Sequence, residues 1–169
     1  MFNSEKRPKL KIALSWKEKI LILISTLCVI AMWVYLYIVW NNLPNIIPIH
    51  FGITGAPDRF GNKISVLLLP IIASIMHILL IFLSKMPHCF NYPVSVTEKN
   101  GEALYKIGKE LILLLDMELS LMFLILLRED IQLAIGTTGG LGIGIMFISM
   151  AIILCTVVYE TIRMRRFKG

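Results

Sequence analysis

The sequence predicts an all-α membrane protein. The expected architecture is a four-transmembrane-helix bundle, N-in/C-in, with a structured Pro/Gly-rich extracytoplasmic loop after helix 1. Three observations carry this. Hydrophobic residues make up 57% of the 169-residue chain, charged residues only 17%, and mean hydropathy is +0.77, whereas soluble domains run nearer a quarter charged. Four stretches approach the roughly 20 apolar residues needed to cross about 30 Å of hydrocarbon. Lysine and arginine are also shared unequally between alternate connections.

The chain reads as a single membrane domain over 1–169. Its spans fall at about 20–40, 64–84, 109–127 and 138–160, with an outer loop at 41–63 and a cytoplasmic loop at 85–108. The first apolar run is too long for a signal-peptide core, and it ends in bulky Tyr35, Tyr37 and Trp40 instead of a small-residue cleavage site. It is therefore expected to stay in the mature protein.

Orientation follows from the basic residues. Fourteen lie in the N-terminal segment, the connection between spans two and three, and the C-terminal tail, against three (Arg59, Lys63 and Arg128) on the other side. The basic side stays cytoplasmic. These flanks, next to anionic lipid, account for the net charge of +6. The expected partner is a lipid bilayer, the bacterial cytoplasmic (inner) membrane, and not nucleic acid. Of three cysteines, Cys28 and Cys155 fall in spans and Cys89 in a cytoplasmic loop, so no disulfide is expected. No metal-ligand spacing or phosphate loop is present, and neither a metal nor a cofactor is expected.

The outer loop is built to fold. Pro44 and Pro48 hold their predecessors extended, and Gly52, Gly55 and Gly61 permit tight turns. Ile46, Ile47, Ile49, Phe51, Ile53 and Phe60 would form a costly apolar patch in water. A short extended segment, Ile47 to Phe51, is therefore expected to lie on the bundle mouth, and Asn62 to cap the second span. His50, Phe51, Asp58, Arg59 and Lys63 are the candidate ligand-binding residues of this loop.

The run Leu43-Pro44, Ile47-Pro48-Ile49-His50-Phe51, Gly55-Ala56-Pro57-Asp58 and Lys63, just after a first span, resembles the domain-of-unknown-function 1648 family (DUF1648) of bacterial integral membrane proteins. So does Phe90-Asn91-Tyr92-Pro93-Val94 with Thr97-Glu98 and Asn100; the resemblance reaches over roughly residues 20–160. Some members share a module with SdpI-type immunity proteins, which protect a producer cell from its own secreted toxin. That module has no clear copy in this sequence, so the resemblance implies immunity only distantly.

Inside the membrane, His77, Asp116 and Glu118 are the candidate polar residues. Two acids at mid-helix cost about 5–7 kcal/mol on the insertion scale, nearly cancelling the gain from the leucine, isoleucine and phenylalanine residues of 111–127. Span three therefore needs partners. His77 and Asp116 both lie about 10 Å from the inner boundary, at 1.5 Å per residue, and are expected to meet. Glu118 is about 200° around the helix from Asp116, so it is expected to reach a different partner: Ser74, an Asn or Tyr group, or water. The functional reading is a proton or ion relay, and the bland one an interhelical bond that orders the bundle.

Four further features complete the reading. Pro70 is expected to kink span two, with Ser74 meeting freed backbone groups. Gly140 and Gly144, extended back by Gly136, give GxxxG spacing for close packing or a homo-oligomer. Thr97 is a plausible N-cap, starting a third helix near Glu98 and ending it near Leu127. The part of that helix before the bilayer is read as a solvated extension or as a docking surface for a cytoplasmic partner.

The function expected is binding or sensing of an envelope ligand, such as a hydrophobic peptide, in immunity or signalling. The alternative is a small transporter or accessory permease subunit using His77, Asp116 and Glu118, with a membrane partner or a second copy. An enzyme with His50 and Asp58 as base and partner is the weakest reading, since no nucleophile motif supports it.

Overall fold

The structure is a computed structural model, and it describes residues 7, 9–52, 54–137 and 143–167. Helix α1 spans Trp16–Val39. Ser15 caps it through a reciprocal capping box: the Ser15 hydroxyl accepts from Glu18 N at 3.2 Å, and Glu18 Oε2 accepts from Ser15 N at 2.6 Å. Its buried residues Leu21, Ser25, Cys28, Met32 and Leu36 recur every three or four positions and form one stripe. The opposite face, with Leu23, Ile24, Leu27 and Ile30, is exposed although wholly apolar.

A 3₁₀ turn at Trp40–Asn42 leads into a β-hairpin, with β1 at Ile46–Phe51 pairing antiparallel with β2 at Pro57–Asn62. Gly55 takes φ 79° at the reversal, a conformation open to glycine at no steric cost. The register is irregular between Pro48 and Phe51, which bends β1. The extended segment expected at 47–51 is thus one strand of a pair. Ile47, 1% exposed, roots it in a core with Met32, Leu36, Leu43, Val66, Leu127 and Ile131.

Asn62 accepts from Ile64 N at 2.9 Å and caps a 3₁₀ turn, Lys63–Leu67, that runs into α2, Leu68–Ser84. Pro70 therefore falls in the first turn of α2, where a helix needs no N–H donor. The irregularity expected at Pro70 takes the form of a change of helix type just ahead of it, from the 3₁₀ turn to α2. Ser74 donates to Pro70 O at 2.7 Å and accepts from Trp33 Nε1 at 3.0 Å.

Helix α3 runs Gly101–Ala134, about 51 Å at 1.5 Å per residue. It starts at Gly101 and not near Glu98, because Thr97 and Asn100 bond each other in a turn ahead of it. It also continues past Leu127. Arg128, Glu129 and Asp130 are good enough helix residues to extend it, and the stop comes at Gly136, φ 78°. There Gly136 N donates to Leu133 O and Thr137 N to Gln132 O, the paired bonds of a Schellman ending. Helix α4 is Ile143–Arg165. Gly136 thus ends one helix while Gly144 lies in the first turn of the next. Among the described residues nothing lies within 4 Å of a Cβ built at Gly136 or Gly144, so neither is in close helix packing within the chain; Gly140 lies outside the described residues.

Helix α3 packs against α1, α2 and α4 and is the centre of the structure. Three helical stretches, Trp16–Asn42, Lys63–Ser84 and Gly144–Arg165, are long and apolar enough to cross a membrane. Helix α3 is not among them. It carries the buried Lys109 and Asp116, while Glu18 of α1, His77 of α2 and Glu160 of α4 are buried on the helices around it.

At the end of α3 far from the hairpin, Tyr92, Val94 and Val96 cover a buried patch of Leu104, Ile107 and Met164. The start of α3 is therefore packed, not a solvated extension. Ion pairs close this end. Lys17 of α1 meets Glu110 of α3, Arg163 of α4 meets Glu110 at 3.1 Å, and Arg163 also meets Glu160 at 2.7 Å.

Candidate functional site

Two polar arrangements stand out, one in the middle of the helices and one beside the hairpin. In the middle, His77 of α2 joins α1 to α3. Its Nδ1 lies 3.0 and 3.1 Å from the two oxygens of Asp116, and its Nε2 lies 3.2 Å from Thr26 Oγ1. Asp116 is 1% exposed. The Thr26 hydroxyl also lies 2.7 Å from Ile22 O. His77 thus bridges Thr26 of α1 and Asp116 of α3 through its two ring nitrogens.

Glu118 faces the opposite way. Its Oε1 accepts from Thr156 of α4 at 2.6 Å, and its Oε2 is buried with no partner among the described residues. Ser74 is committed to Trp33 and Pro70, so the partner from α2 considered for Glu118 is taken.

At the hairpin, the five candidate ligand residues do not converge. His50 Nδ1 lies 2.5 Å from Asp58 Oδ1, tying β1 to β2 with both side chains more than half exposed. Arg59 is exposed on β2. Lys63 turns back toward Trp40, with its ammonium 5.0 Å from the ring centroid and 3.5 Å from the backbone carbonyl. Of the five, Phe51 lines a partly open cavity.

That cavity, of about 270 Å³, lies between the hairpin and the helix ends. Ile47, Pro48, Ile49 and Phe51 of β1 form one wall. Ser65 and Val66 of the 3₁₀ turn, with Leu68 and Leu69 of α2, form another. Leu126 and Asp130 of α3 and Met146 of α4 complete the lining among the described residues. Among the described residues Asp130 is the only charged group in it, and burial pushes its carboxyl up to about 6. The sequence reading passed over Asp130 because Arg128-Glu129-Asp130 looks like a polar loop. Its one signal was position, since helical spacing sets Asp130 one turn beyond Leu126 and on the same face.

Helices with apolar outer faces around a polar interior define the class: an integral membrane protein. Residues 27–73 match the family described as Domain of unknown function (DUF1648). The match runs from the second half of α1 through the hairpin into α2, and so carries the first of the two motif groups. An uncharacterized protein of Archaeoglobus fulgidus is 32% identical over 68 residues, which are 40% of this chain. The chain spans 37% of the length of that relative. No solved structure matches.

Proposed function

We propose that the protein crosses the bacterial cytoplasmic membrane four times, with both termini inside, and binds an apolar envelope ligand such as a hydrophobic peptide at its hairpin. The observation that carries this is the cavity under β1, walled by Ile47, Pro48 and Phe51, on a hairpin that also exposes the apolar residues Ile46 and Phe60. Small-molecule and peptide sites have this composition, mostly apolar with few polar groups. Toxin immunity and signalling are both forms such binding takes. In this reading α3 crosses with its acids paired to neighbours, and its membrane segment ends near Leu127.

The test uses the purified protein in uncharged detergent and a dansylated apolar hexapeptide of alternating leucine and alanine. Saturable binding that weakens at least tenfold in Phe51→Ala supports the reading. Equal affinity in both proteins, or no saturable binding to either, overturns it. Reporters active only in the cytosol, fused to each terminus, test the orientation; a silent terminus overturns that part.

The transporter reading is favoured by one observation, the buried polar chain of Thr26, His77 and Asp116 within the helices. A proton-dependent flux in proteoliposomes, lost in Asp116→Asn, supports it. No flux in the wild-type protein removes it.

A further inference from the structure

Asp130 has a costly place. It lies in an apolar cavity, and among the described residues no donor reaches it. Asp130 is half-buried, and partial desolvation of a carboxylate without a partner costs free energy that an arriving cation offsets. The nearby cations are engaged elsewhere, Arg128 with Glu129 at 2.8 Å and Lys63 over Trp40. A metal ion is a poor fit, because hard cations want several oxygen ligands and the cavity offers Asp130 and the Ser65 hydroxyl; among the described residues no group of three metal-ligating side chains exists. The volume, about 270 Å³, is at the small end for ligand sites, enough for one side chain or a short chain molecule. A guanidinium wants a planar array of acceptors, whereas an ammonium is a compact charge on a flexible apolar stem. The stem suits the walls of Ile47, Pro48, Phe51 and Leu126, and the charge suits Asp130.

We propose that this cavity is an ammonium site: Asp130 receives a primary ammonium whose apolar stem packs under β1. This rests on the binding reading above and narrows its ligand to cationic amphiphiles. The same chemistry comes from a free alkylamine or from a lysine in an apolar peptide.

The experiment is calorimetric titration of the whole protein in uncharged detergent at pH 7.5. The probes are n-hexylammonium, n-hexanol, and two apolar hexapeptides differing only in a terminal lysine or leucine. On the wild-type protein, hexylammonium is expected to bind at least tenfold more tightly than hexanol, and Asp130→Asn is expected to abolish that preference. Equal binding of hexylammonium and hexanol to the wild-type protein overturns the proposal, with no variant needed. So does a preference that survives in Asp130→Asn. A preference for the lysine peptide identifies a peptide as the source, and a preference confined to hexylammonium identifies a small amine; both support the site. Binding of the leucine peptide without any ammonium preference overturns this inference and leaves the broader binding reading standing. Failure of every apolar probe to bind overturns both.

Discussion

Lys109 Nζ lies 3.2 Å from Glu18 Oε2, and both side chains are almost wholly buried between α1 and α3. Glu18 is also the acid of the α1 capping box, and Lys109 donates to the carbonyl of Ala13 at 2.9 Å. One lysine therefore fixes both the start of α1 and the segment ahead of it. Removing one member of a buried pair leaves the other charge uncompensated, at about 3–5 kcal/mol. Lys109→Met is expected to lower thermal stability in detergent by that order. The double variant Lys109→Met with Glu18→Gln is expected to recover part of the loss, and a double-mutant cycle reads the coupling. Additive losses would show that the two groups act separately.

Gly108 is needed for a close approach. A Cβ there would stand 2.6 Å from the Tyr92 hydroxyl and 3.1 Å from Phe90. Tyr92 is held in place, donating to Pro87 O at 2.8 Å and stacking at 5.8 Å on Tyr105. Alanine is the better helix former by roughly 1 kcal/mol, yet overpacking costs about 1–3 kcal/mol. Gly108→Ala is therefore expected to destabilise the protein, and shortening Tyr92 to Phe in the same chain to relieve most of the effect. A stabilised Gly108→Ala, read by thermal unfolding, would contradict the packing.

His77 joins α1 and α3, so its two bonds are expected to differ in worth. Thr26→Val removes one hydrogen bond, worth about 0.5–1.5 kcal/mol. Asp116→Leu leaves the His77 ring facing an apolar group within the helices, and is expected to cost at least twice as much. If the pair serves only to order the helices, Asp116→Asn keeps a hydrogen bond and loses only stability. Proteoliposome flux and unfolding measured on the same variants separate these roles.

His50 and Asp58 are more than half exposed, and such surface pairs contribute about 0–1 kcal/mol. His50→Ala and Asp58→Ala are each expected to change the melting point little, because Ile47 and not the ion pair roots the hairpin in the core. If peptide binding falls in these variants while stability holds, the pair acts on the ligand. A large loss of stability in either would make it a structural clasp instead.

Much of this architecture was legible in the residues, because hydropathy and charge act over long windows. The apolar runs of α1, α2 and α4 needed only length and composition. Helical rise alone set His77 and Asp116 at one depth, and they meet at 3.0 Å. Strand β2 was not legible. Pro57, Asp58 and Gly61 all disfavour strands, and pairing with β1 overrides their preferences. Nor did the charges after Leu127 mark a loop, since charged residues extend a helix as readily as they end one, and the stop depended on Gly136 taking a left-handed φ. Asp130 was lost for that reason: its role depends on tertiary walls contributed by β1 and α4, which no local pattern reveals.

Asp130 is also expected to make stability depend on pH in an unusual direction. Its carboxyl is raised from 3.8 to about 6 in the folded protein. Between these values the folded chain binds more protons than the unfolded one, so stability falls as pH rises from about 4 to about 6 and then levels off. A shift of this size corresponds to roughly 3 kcal/mol if fully buried; partial exposure reduces it to about 1–2 kcal/mol. Asp130→Asn, which has no charge to bury, is expected to be more stable than the wild-type protein by that amount at pH 7. The gap is expected to close near pH 4, where Asp130 is neutral in the folded protein. Bound hexylammonium favours the charged carboxylate, so its affinity is expected to weaken as pH drops below about 6. Thermal unfolding of both proteins at pH 4 and pH 7 gives the answer, and an Asp130→Asn protein less stable at pH 7 would show that the carboxylate is paired.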